Sequence, residues 1–185
     1  MNHYRLDPAR YFSASGLAWD AALKITKVQL ELLSDPDMLL MMESGIRGGI
    51  STISHRHAEA YNDYMGAEFD STKEFKFISY LDVNALYSWA ISKPLPTSGF
   101  QWMTDDEIDD WKHLSCILDV HLEYPEDLHN LHNDYPLAPE RVEMGNVQKL
   151  IPNLNKMTNY VVHYENLKLY ENLGLKIAKI HRGIN

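Results

Sequence analysis

At 185 residues, with 45% hydrophobic and 23% charged side chains, the chain can build one sizeable core plus a partial second unit, which excludes wholesale disorder. The longest apolar run, Met38-Leu39-Leu40-Met41-Met42, falls far short of the ~20 residues that span a bilayer. Met1-Asn2-His3-Tyr4-Arg5 leads into no apolar signal core, so an intracellular, non-secreted protein with no membrane partner is expected. A single cysteine, Cys116, excludes an internal disulfide and a cysteine-based zinc site. The net charge of −9 is concentrated in residues 104–143, where 12 acids face only Lys112 and Arg141. Any nucleic-acid contact has to avoid that face, which otherwise reads as a solvated surface.

Residues 14–33 place Leu17, Ala21, Ile25, Val28 and Leu32 close to a helical stripe. Asp35 before Pro36 fits an N-cap followed by proline at the first helical position, and the helix it opens runs through Leu39, Leu40 and Met42 to Gly45. Gly48-Gly49 interrupts regular structure, and residues 50–54 alternate as a half-buried strand does. Residues 55–74 form a polar loop long enough to mark a joint or a functional segment. Residues 75–83 read as a strand feeding a helix at 84–91, which Lys93-Pro94-Leu95-Pro96 stops. A short helix at 104–111, a strand at 115–123 and a loop rich in Pro, His and Asn at 125–139 follow. A strand near 160–164, a helix at 165–173 closed by Gly174 and a last strand at 175–180 complete the order. This order implies an α+β fold with a mixed, largely antiparallel sheet and flanking helices, in a chain that reads as cut after its last strand.

The segment Tyr80-Leu81-Asp82-Val83-Asn84-Ala85-Leu86-Tyr87 sets one carboxylate between an apolar strand and a helix start. A carboxylate oxygen is a hard ligand for Mg²⁺, and free N–H groups at a helix start favour phosphate. The plain alternative is that Asp82 caps the helix. His55-Arg56-His57 and His129-x-x-His132 lack zinc spacing and read as solvated loop residues. Tyr160, Tyr164 and Tyr170 read as packing rather than base-stacking platforms, the Met38–Met42 cluster as core, and Cys116 as an inert small hydrophobe.

Asp82-Val83-Asn84-Ala85-Leu86-Tyr87 resembles the first palm motif of family B DNA polymerases, in the variant of the protein-primed viral, plasmid and transposon (organellar and viral type B) group. Ile46-Arg47-Gly48-Gly49 lies 35 residues upstream and resembles that group's Tyr-x-Gly-Gly motif, and Lys93-Pro94-Leu95-Pro96 resembles its basic-Pro-Leu-Pro segment. The resemblance implies a fragment. Residues 1–74 would be the segment between exonuclease and polymerase domains, ending in a loop, and residues 75–185 the N-terminal part of the polymerase palm with an acidic insertion at 104–143. It implies Mg²⁺-dependent, template-directed deoxynucleotide transfer in the replication of a mobile or viral-like element. The partners would be a DNA template and primer, deoxynucleoside triphosphates and a priming protein. Residue by residue, it makes Asp82 a catalytic metal ligand and gives the Val83 carbonyl a place in a metal shell. Leu86 and Tyr87 would meet the nucleotide through their N–H groups, with the Tyr87 ring beneath the sugar, and Arg47, Gly48 and Gly49 would contact the template. Ile46 and Ser88 depart from the family's usual tyrosine and proline. The fingers motif Lys-x-x-x-Asn-Ser-x-Tyr-Gly and the second palm motif Asp-Thr-Asp are absent, so only one carboxylate of the two-metal site is present. The chain alone is therefore expected to be inactive, and the alternative reading is a non-catalytic remnant or an adopted interaction domain.

Overall fold

The structure is a computed structural model that describes residues 4–185. In chain order the elements are α1 (Ala14–Thr26), α2 (Pro36–Gly45), α3 (Leu86–Ile91), α4 (Asp105–Asp109), β1 (Ile117–Glu123), α5 (His129–His132), β2 (Glu140–Met144), β3 (Val147–Ile151), β4 (Met157–His163), α6 (Tyr164–Asn172) and β5 (Lys176–Ile184). The class is α+β and every strand pair is antiparallel, as the sequence implies. Among the described residues no helix is long and apolar enough to cross a membrane.

The three-stranded sheet has the order β4-β1-β5. Alternation along Ile117-Leu118-Asp119-Val120-His121-Leu122-Glu123 sends Leu118, Val120 and Leu122 to one face, where all three are buried. There they meet Leu167 of α6, together with Trp111, Cys116, Tyr160 and Val162. Burial pushes the Cys116 thiol up to about 11, in keeping with an inert packing residue. On the opposite face Val161 and Ile184 are covered by Met38 and Met41 of α2, while Leu39 and Leu40 point outward. Residues 101–103 extend the edge beside β5. Gln101 and Asn185 exchange backbone bonds of 3.2 and 3.1 Å, and Met103 N–H donates to Gly183 O at 2.9 Å. An added Cβ at Gly183 would lie 2.4 Å from Met103 Sδ and 2.8 Å from Leu118 Cδ2, so only glycine lets this edge close.

The bounds of α2 are those the Asp35-Pro36 and Gly45 signals predict. Asp35 accepts from the N–H groups of Asp37 (2.8 Å) and Met38 (3.3 Å) and from the Trp102 indole (2.9 Å), which ties the helix start to the sheet edge. The indole bond first, and the backbone N–H groups with it, hold the Asp35 carboxyl below its ordinary value of 3.8. A depressed carboxylate contributes stability that is complete above its unfolded value and lost as pH falls through the folded one. Wild type should therefore be more stable than Asp35→Asn at neutral pH, and urea midpoints should show that advantage disappearing well below pH 3.8. A pH-independent difference would contradict the coupling.

Five elements differ from those the sequence implies. α1 ends at Thr26 because Lys27 turns left-handed (φ 55°), so the stripe through Leu32 is not helical. Residues 50–54 and 75–83 form no strands. Among the described residues the second segment pairs only through an isolated bridge between Tyr61 and Lys76, and residues 71–99 are exposed throughout. A strand is stabilised by pairing and by a buried face, and neither is available here. The β2–β3 hairpin has no counterpart in the order the sequence implies. It closes at Gly145-Asn146, where Gly145 adopts φ 64°, with Met144 opposite Val147. Finally, β5 runs on to Ile184, because residues 101–103 pair with its end.

Candidate functional site

Asp82 lies in an irregular, exposed stretch that leads into α3. The N-cap of α3 is Ala85, at φ 53° and ψ 39°, and no side chain caps the helix, so Asp82 is not a capping residue. A left-handed alanine carries a strain of about 1 kcal/mol or more, and it turns the chain sharply between Asp82 and the helix. The short helix is fixed at its far end by Ser92 Oγ donating to Trp89 O (2.7 Å) and by Lys93 Nζ 4.4 Å above the Trp89 ring. Asp82, Val83, Leu86 and Tyr87 thus gather around one turn. Their side chains are all exposed, Tyr87 at 88%, and among the described residues neither the Asp82 carboxylate nor the Tyr87 hydroxyl has a hydrogen-bond partner.

The donors offered here are one carboxylate and one backbone carbonyl. Among the described residues no group of three or more His, Cys, Asp or Glu could hold a metal ion. That set suits part of the shell of one hard cation and does not fit a two-ion centre by itself.

Arg47, Gly48 and Gly49 lie elsewhere, at the exit of α2. Arg47 Nη1 donates to Gly45 O (3.2 Å) and Val161 O (2.5 Å), and its guanidinium carbon stands 3.9 Å from the Tyr160 ring centroid. Arg141 of β2 donates to Ile46 O. Gly48 opens onto a shallow cleft of about 260 Å³ between its own loop, residues 135–139 and α6. Among the described residues, no hydrogen bond, ion pair or strand pairing joins residues 46–49 to residues 82–87.

Three further findings lie outside the sequence reading. His129 and His132 are not solvated loop residues: His132 Nδ1 pairs with the Tyr124 hydroxyl at 2.7 Å, and His129 Nε2 lies 3.4 Å from Tyr124 O. The Tyr124 hydroxyl also accepts from Leu137 N–H (3.3 Å), so this trio folds the 125–139 loop back on β1. Asp119, one acid among the many of residues 104–143, is 4% exposed; Arg182 Nε reaches its Oδ2 at 3.4 Å and Oδ1 has no partner. Its odd-numbered place in an alternating strand was the available signal, since the acid falls in register with Ile117 and opposite the Leu118 face.

Residues 57–185 match the model of the family described as DNA polymerase type B, organellar and viral. The matched span holds Asp82, Val83, Leu86, Tyr87 and the whole sheet, and leaves Arg47, Gly48 and Gly49 outside it. No curated protein and no solved structure matches the chain. The match covers well over half of the residues, and it takes in the turn where Asp82 precedes α3: the chain belongs to the organellar and viral type B DNA polymerase family.

Proposed function

We propose that this chain is the first part of a polymerase palm, serving template-directed deoxynucleotide transfer in the replication of a mobile or viral-like element. The observation that carries the reading is the family match over residues 57–185, with the Asp82–Tyr87 motif inside it. The family acts on DNA and nucleotides and uses divalent metal ions. In this reading residues 1–74 link an exonuclease domain to the palm, and residues 75–185 begin the palm itself. The DNA template and primer and the incoming deoxynucleoside triphosphate are the partners, together with a priming protein.

Asp82 supplies a carboxylate ligand to Mg²⁺, and the Val83 carbonyl a second oxygen. The first N–H groups of a helix have no intrahelical acceptor, which leaves those of Leu86 and Tyr87 able to donate to a triphosphate. The Tyr87 ring is exposed, and its hydroxyl has no hydrogen bond among the described residues, so the ring is available to stand beneath the sugar. A second carboxylate has to reach Asp82 from outside these residues, because two metal ions need it and no Asp-Thr-Asp occurs here.

Primer extension tests this directly. The 185-residue chain with Mg²⁺ and all four dNTPs should give no extension. Joined in frame to a segment carrying the fingers and second palm motifs, it should extend a primer. Extension by the chain alone that disappears in Asp82→Asn would overturn the single-carboxylate argument. An inert joined protein that binds both DNA and dNTP would favour the non-catalytic reading.

A further inference from the structure

We infer that Arg47 is a positioning residue. It clamps the approach to Gly48-Gly49 onto the sheet and leaves contact with a nucleic-acid phosphate to the glycine backbone. The inference rests on the proposed polymerase function and on the template contact that the resemblance implies for residues 47–49, and it reassigns the roles within that contact.

An arginine that neutralises a phosphate needs its donors and its charge turned outward. Arg47 is half-buried and turns one donor nitrogen and a face of its guanidinium inward. Both Nη1 hydrogens are committed to protein carbonyls, Gly45 O at 3.2 Å and Val161 O at 2.5 Å, the second lying 114 residues away on β4. The guanidinium carbon is 3.9 Å from the centre of the Tyr160 ring, well inside cation–π range. That ring is a fixed platform, since Tyr160 is 4% exposed and its hydroxyl donates to Pro139 O at 3.3 Å. The clamp has two further jaws. Arg141 of β2 holds Ile46 O, and Gly45 lies so close to β4 that an added Cβ would be 3.0 Å from Val161 Cγ1.

Beyond this clamp the two glycines are in open space. A Cβ at Gly48 or Gly49 would meet nothing within 4 Å, and neither residue has a positive φ. Packing and backbone conformation therefore do not require glycine at these positions. Close approach of another molecule to the bare backbone would require it, and N–H groups suit the phosphodiester oxygens of DNA. Arg47 fixes where those N–H groups stand.

The test is the salt dependence of binding to a labelled primer–template duplex, measured by fluorescence anisotropy on the whole chain between about 50 and 200 mM NaCl. Arg47→Ala and Arg47→Lys should weaken binding alike, by roughly tenfold, with the slope of log K against log salt unchanged, because lysine keeps the charge but not the planar stack. Gly48→Ala should leave the melting temperature unaltered and still weaken binding. A phosphate role for Arg47 gives the opposite pattern, in which Arg47→Lys binds as wild type and Arg47→Ala lowers the slope by about 0.9; that result overturns the inference. Unchanged affinity in Gly48→Ala overturns the glycine half. Wild type with no measurable affinity removes the DNA-contact reading itself. Hydrogen exchange across residues 42–52 then decides the clamp separately: exchange faster in Arg47→Lys than in wild type supports it, and equal exchange refutes it.

Discussion

Tyr87→Val, placed in a chain completed by the fingers and second palm motifs, should raise ribonucleotide insertion relative to deoxynucleotide insertion by about 10²- to 10⁴-fold. A 2′-hydroxyl that collides with a ring loses alignment of the α-phosphate, and a steric clash of a few kcal/mol corresponds to that range. The competing explanation, that Tyr87 is a core ring, carries its own signature: a loss of about 3 kcal/mol on truncation with sugar preference unchanged. In the structure the ring is 88% exposed, so truncation should leave the melting temperature of the 185-residue chain where it is. Comparing kcat/KM for dATP and ATP in both proteins, alongside a melting curve, separates the two. An unchanged ratio would remove the gate assignment.

Leu118→Ala should be among the most destabilising single truncations in the chain, costing about 2–5 kcal/mol. Leu118 is 0% exposed in the central strand, with Gly183 of the neighbouring strand directly against its Cδ2. That strand and the segment at 101–103 are closed over it, so the surroundings have little room to collapse into the space left behind. Val142→Ala on the exposed β2–β3 hairpin should change stability by no more than about 0.5 kcal/mol and serves as the control. Urea unfolding of both variants measures the contrast. Similar midpoints would mean that the β4-β1-β5 sheet is not the core.

What could be read in advance follows from how local each signal is. The bounds of α2 were legible because a cap, a first-turn proline and a terminal glycine act within one helix. The α+β class was legible from the order of strands and helices along the chain. Residues 75–83 are rich in aromatic and branched side chains and still form no strand, since pairing depends on a neighbour that composition does not reveal. The hairpin had a usable sign in Gly145-Asn146 between Met144 and Val147, but its strands are largely exposed and carry Glu140, Arg141, Glu143, Gln148 and Lys149, so no apolar face marks them. At the site, the Asp82–Tyr87 motif was recognisable because its residues are consecutive in the chain. The clamp on Arg47 was not, because its partners, Tyr160 and Val161, lie more than a hundred residues away.

In the proposed function Asp82 holds metal for nucleotidyl transfer. Primer extension by Asp82→Asn in the completed polymerase tests it most directly, with duplex binding measured on the same preparation. Loss of extension by at least about a thousandfold with DNA affinity intact is the expected result, because the substitution removes a charged ligand and leaves the exposed turn otherwise unaltered. Extension within about tenfold of wild type would contradict it.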